Sequence, residues 1–181
     1  DTQPILADVT RRIVAVGQRG HVVHSSDGGR LWTQVPVPVS SDLTAVRFVD
    51  TNVGYATGHD GVVLGTRDGG LSWTRLLVGR QANTLALEHM KRQAAAHDAS
   101  DADRKLLDEA QRNFDAGPDK PFFDLWFASA NEGFVVGAYG LVMHTADGGK
   151  TWGPWIGRVE NPALLNLYAL RAGRGALFVG G

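Results

Sequence analysis

The sequence predicts an all-β repeat fold, and three observations predict it. An eight-residue pattern occurs as Ser25-Ser26-Asp27-Gly28-Gly29-Arg30-Leu31-Trp32, as Thr66-Arg67-Asp68-Gly69-Gly70-Leu71-Ser72-Trp73 and as Thr145-Ala146-Asp147-Gly148-Gly149-Lys150-Thr151-Trp152. Asp27 and Asp68 stand one unit of 41 residues apart, and Asp68 and Asp147 stand 79 apart, nearly one unit plus 38 further residues. Short apolar runs flank every copy, and 23 glycines against 7 prolines supply tight turns. A period of about 40–45 residues with four strands per unit is that of a β-propeller blade. The expectation is a single, partial β-propeller over residues 1–181, about three and a half blades long, with a helical insertion over 80–118.

Blade one is expected to begin with Leu6–Val9, continue through Ile13–Gly17, turn at Arg19-Gly20 and run along His21–His24 into the first box. Trp32–Val35 closes it, and Pro36 and Pro38 bar further pairing because they lack N–H donors. Blade two reads as Thr44–Val49, Gly54–Gly58, a turn at Asp60-Gly61, Val62–Gly65 and Ser72–Leu76. From Arg80 to Gly117 glycine gives way to Ala, Leu, Glu, Lys, Arg and Gln, which are helix formers. Leu85, Leu87 and Met90 mark a first helix ending near His97. Ser100 or Asp101 can cap a second, which runs to Phe114 and is stopped by Gly117-Pro118. Blade three follows as Phe123–Phe127, Gly133–Gly137, Leu141–His144 and Trp152–Ile156. Leu165–Leu170 and Gly175–Gly180 are expected as the first two strands of a fourth blade.

The repeated octet is folding chemistry before it is anything else. Asp-Gly-Gly between apolar strands is a hairpin signal. The Asp carboxylate can accept N–H groups of its own turn, the preceding hydroxyl can tie the incoming strand, and the Trp offers a large packing face. The structural set is Ser25, Asp27, Gly29 and Trp32, then Thr66, Asp68, Gly70 and Trp73, then Thr145, Asp147, Gly149 and Trp152. Repetition places the three carboxylates on separate units, which argues against a joint acid–base or metal site. Leu31 departs from the pattern, since Ser72 and Thr151 carry hydroxyls there.

Charge excludes little and favours little. The formal net charge is −1, so bulk charge favours neither nucleic acid nor an anionic membrane. No apolar run reaches membrane-spanning length, so direct membrane insertion is not expected. The absence of cysteine removes disulfide and thiolate chemistry. A start at Asp1, with no visible signal peptide, reads as a processed or trimmed chain.

No phosphate loop, nucleophile elbow or metal-ligand spacing is present, and no cofactor is expected. His24 and His144 occupy one repeat position, which makes them strand residues rather than a ligand pair. His59-Asp60 lacks a third ligand. Asp124 and Glu132 are the acid–base candidates. Arg19, Arg30, Arg47, Arg67, Arg75 and Arg80 recur near blade turns and outer strands, and could form a basic patch for an acidic peptide.

The octet resembles the Asp-box, or bacterial neuraminidase repeat, which implies a turn at the edge of a propeller blade. A sialidase-like glycoside hydrolase is the enzymatic alternative. Its arginine cluster and Tyr/Glu pair are not visible: Tyr55, Tyr139 and Tyr168 have no evident glutamate neighbour, and Arg12-Ile13 continues into a strand.

The blades also resemble the photosystem II stability/assembly factor-like proteins. The carriers are Gly54-Tyr55-Ala56-Thr57-Gly58-His59-Asp60-Gly61 and Gly133-Phe134-Val135-Val136-Gly137-Ala138-Tyr139-Gly140. The stretch Gly117-Pro118-Asp119-Lys120-Pro121-Phe122 after the insertion is similar to relatives that look like companions of membrane exporters. The resemblance implies a non-catalytic, periplasmic or otherwise extracytoplasmic propeller that assists a membrane protein complex or exporter subunit. Its ring would be completed by further blades or a second copy. The insertion is expected either as a solvated loop element or as a docking element, removable without unfolding the β structure.

Overall fold

The computed structural model describes residues 12–96 and 99–181. The expected strand at Leu6–Val9 and the position of His97 lie outside the described residues. Four antiparallel sheets follow one another along the chain. The first joins β1 (Ile13–Val16), β2 (Val22–Ser25) and β3 (Thr33–Val35). The second joins β4 (Leu43–Phe48), β5 (Gly54–Gly58), β6 (Val63–Thr66) and β7 (Thr74–Leu77). Helices α1 (Gly79–Ala94) and α2 (Asp101–Ala116) intervene. The third sheet joins β8 (Phe122–Phe127), β9 (Gly133–Gly137), β10 (Val142–Thr145) and the two-residue β11 (Gly153–Pro154). The last is a hairpin of β12 (Ala169–Gly173) and β13 (Ala176–Gly180).

The glycines of the repeated Gly-(Tyr/Phe)-x-x-Gly-x-x-Gly stretch explain how each sheet packs. A Cβ on Gly133 would lie 2.3 Å from the Phe127 ring, and one on Gly54 would lie 2.7 Å from Phe48. The first glycine therefore leaves room for an inner-strand phenylalanine. A Cβ on Gly137 would come 2.2 Å from the Pro121 carbonyl oxygen, so the second glycine lets two backbones approach. The third closes the turn at positive φ, after a non-glycine residue at φ 55° in each of the first three sheets: Arg19, Asp60 and Tyr139.

Apolar clusters fill the seams between neighbouring sheets. Val22, Val35, Leu43, Ala56, Leu64 and Trp73 join the first and second. Tyr55, Leu77, Phe122, Leu125, Phe127, Val135, Met143 and Trp152 join the second and third. Tyr55 and Phe127 stack there at 3.6 Å between centroids, and Tyr55 Oη donates to the Ala130 carbonyl at 2.6 Å. Val136, Val142, Leu167 and Leu170 join the third and fourth.

The helical pair is docked on this body. Ala82 and Ala86 of α1 belong to the cluster of Phe122 and Trp152, while Leu87 and Met90 meet Ala110, Leu106 and Ile156. Ser100 and Asp103 form a reciprocal capping box that starts α2. Buried Asn83 donates to the carbonyls of Asn113 and Gly117, both at 2.9 Å, which ties α1 to the end of α2. The hairpin thus covers a sheet surface, and the expectation that it could be removed without consequence for the β structure does not fit this packing.

Two boundaries need correction. The fourth-sheet strand expected at Leu165–Leu170 runs from Ala169 to Gly173, because Leu165 is held in a loop by Asn161 and ladder pairing with β13 begins only at Ala169. The first helix ends at Ala94.

Candidate functional site

The octets lie at one end of the strands of the first three sheets. The turns carrying Arg19, Asp60 and Tyr139, together with the helical pair, lie at the other, as the antiparallel order requires. In the second octet, Thr66 Oγ1 accepts the N–H of Gly70 at 2.9 Å and donates to Asp68. Asp68 Oδ1 accepts the N–H groups of Leu71 and Ser72, and Ser72 Oγ donates to Oδ2 at 2.5 Å. The third repeats this through Thr145, Asp147 and Thr151, with Thr151 Oγ1 2.6 Å from Asp147 Oδ2. These hydroxyl and amide donors hold Asp68 and Asp147 down at about pKa 2. In the first octet, Asp27 accepts from the amides of Leu31 and Arg30 and from Ser25, and its pKa is also lowered. Gly29, Gly70 and Gly149 all stand at positive φ. Trp73 and Trp152 are buried at 5% and 6% exposure, whereas Trp32 is 45% exposed.

Inner strands β4, β8 and β12 lie side by side and build a different site. Their pairing registers with the neighbouring strands align Arg47, Trp126 and Arg171 at one repeat position, and Ala45, Asp124 and Ala169 at another. A groove of about 430 Å³ runs across them. It is lined by Val16 of β1, Thr44 and Arg47 of β4, Phe123 and Asp124 of β8, and Tyr168 and Arg171 at the last hairpin.

Asp124 is the centre of this groove. It is 4% exposed, yet four donors surround it. Oδ1 accepts the Leu125 N–H at 2.9 Å and faces the Arg47 guanidinium at 3.3 Å. Oδ2 accepts the Leu170 N–H at 3.0 Å and the Arg171 guanidinium at 2.5 Å. One carboxylate therefore joins three sheets, while both arginines remain half-exposed to the groove. Phe123 and Tyr168 form an aromatic wall with ring centroids 4.8 Å apart. Such a surface can take a carboxylate through guanidinium N–H groups and an apolar side chain against the rings.

The six arginines singled out from the sequence lie on different elements. Arg47 lines the groove. Arg19 sits at a turn tip, and Arg30 is exposed in the first octet. Arg67 reaches from the second octet to the carbonyls of Ala130 and Gly148, 3.4 Å from each, and lies over the Tyr55 ring. Arg75 is on β7 opposite Leu64, and Arg80 is in the first turn of α1. Arg171 and Phe123 escaped the sequence reading, although aligning the three inner strands would have placed Arg171 with Arg47.

The other candidates fall elsewhere. Glu132 Oε1 pairs with His144 Nε2 at 2.6 Å, and the imidazole packs with Phe134 and Trp155 in a cluster of three rings. Asp124 and Glu132 therefore serve separate clusters. His24 Nε2 is buried without a partner among the described residues. Asp60 accepts the Ser41 hydroxyl at 2.6 Å. Tyr168 Oη accepts from the Asn166 amide at 2.9 Å rather than pairing with a glutamate. Among the described residues no three His, Asp or Glu side chains converge as a metal site, and no helix is long and apolar enough to cross a membrane.

No protein-family model matches the chain, and no curated protein is found to match it. Solved structures do. YCF48 from Cyanidioschyzon merolae aligns with a TM-score of 0.53 and 18% identity, over 95% of this chain and 45% of its own. The chain is similar in fold to YCF48. That protein is a photosystem II assembly factor and a β-propeller. This chain spans less than half of YCF48 in that structure. A structure of YCF48 bound to D1 peptide aligns at a TM-score of 0.33 and 16% identity, over 90% of this chain and 69% of its own.

Proposed function

We propose that the chain is part of a β-propeller that serves, outside the cytoplasm, as a non-catalytic binding module for a membrane protein complex or exporter subunit. The partner offers an acidic polypeptide segment, which lies in the inner-strand groove. The observation that carries this reading is the pair of half-exposed guanidiniums, Arg47 and Arg171, set on either side of buried Asp124 beside an aromatic wall. The likeness in fold to an assembly factor supports it.

Affinity capture from detergent-solubilised membranes tests it, with the wild-type chain and an Arg47→Gln/Arg171→Gln variant side by side. A membrane complex retained by the wild type and lost by the variant is the expected result. Equal capture by both removes the groove from the reading. Hydrolysis of a fluorogenic sialoside by the wild type would replace the reading with a glycosidase.

A further inference from the structure

The groove holds two guanidiniums and one carboxylate, and the carboxylate is the buried member of the three. Its net charge is therefore one positive, not two. Backbone amides of Leu125 and Leu170 fix both oxygens of Asp124, so the carboxylate cannot swing away when a ligand arrives. Each arginine spends one donor on Asp124 and another on the preceding backbone carbonyl, Val46 for Arg47 and Leu170 for Arg171, and has its remaining N–H groups for the groove.

Resting on the reading of this groove as a polypeptide site, we propose that Asp124 is its specificity-determining residue, selecting a singly charged carboxylate over a phosphorylated side chain. A phosphoserine carries a charge of about −1.5 to −2 at neutral pH. A fixed site of one net positive charge attracts it in proportion to its charge, but the cost of stripping its water rises roughly as the square of that charge, so the groove favours the singly charged carboxylate. Asp124 thus acts as a permanent internal competitor that sets how much negative charge the groove accepts.

The test uses two fluorescein-labelled, end-blocked pentapeptides, Ala-Leu-Phe-Glu-Ala and its counterpart with phosphoserine in place of Glu, read by anisotropy at low salt. The wild type is expected to prefer the Glu peptide about tenfold. Asp124→Asn leaves two net positive charges and is expected to reverse the preference. Arg171→Gln, a change at a 63% exposed side chain, leaves none, and both peptides should be lost. The double variant Asp124→Asn/Arg171→Gln returns to one positive charge and should regain the Glu preference. A preference ratio unchanged in Asp124→Asn, or a double variant that stays inactive while folded, overturns the role of Asp124. If Asp124→Asn does not fold, the wild-type preference and its loss in Arg171→Gln decide the matter. A wild type that binds neither peptide overturns the polypeptide reading itself.

Discussion

Thr151 donates its hydroxyl hydrogen to Asp147 at 2.6 Å, and Leu31, at the matching place in the first octet, has no hydroxyl to give. Its side chain is 76% exposed instead. Leu31→Thr should restore the missing bond without disturbing packing. The expected result is a higher urea midpoint, with the Asp27 pKa falling further below its ordinary value.

The same bonds fix an acid limit. Asp68 and Asp147 titrate at about 2 when folded and near 3.8 when unfolded, so the unfolded chain binds protons first as pH falls. Their contribution is complete above about pH 5 and is lost as the pH drops toward 2. Urea midpoints measured across that window should decline. In an Asp68→Asn/Asp147→Asn variant the decline should be shallower, although its midpoint at pH 7 is lower.

Asn83 supplies a third prediction. Its amide serves two carbonyls at once, one on each side of the end of α2. Asn83→Ala leaves both unanswered and should cost about 1–3 kcal/mol. Amide exchange in the helical pair should accelerate well before exchange in β5 and β9.

Gly133 gives a fourth. An added methyl group would strike the Phe127 ring, and ring displacement should destabilise Gly133→Ala by about 1–3 kcal/mol. The penalty should shrink in a Phe127→Ala background. A double-mutant cycle of thermal unfolding reads the difference directly.

Much of this fold was legible because its signals are local. The octets, the glycine triplets and the switch from glycine-rich to helix-forming residues at Gly79 all act within a few positions of one another. The groove was not legible in the same way. Asp124 meets Arg47 and Arg171 across separations of 77 and 47 residues, and no spacing rule joins those positions. The arginines drew notice by recurrence near turns, yet Arg67 spends its guanidinium on the next sheet's carbonyls. The shift of the last hairpin toward Gly173 has a similar cause. Leu165 and Leu167 are equally apolar, yet Leu165 is exposed and looped by Asn161, while Leu167 is buried and bonds the Gly137 carbonyl.

The Cα of Gly79 is pressed so closely that a Cβ there would lie 2.6 Å from both the Asp60 and the Pro118 carbonyl oxygens. Entry to the helical pair and exit from it therefore occupy one spot on the body. Beyond Ala82 and Ala86, which are built into the core, a segment whose two ends coincide can change in length and still return to the same place. The repeated sheets can stay constant while the outer part of this attachment changes, so recognition can diversify there as long as the contact with Phe122 and Trp152 is kept.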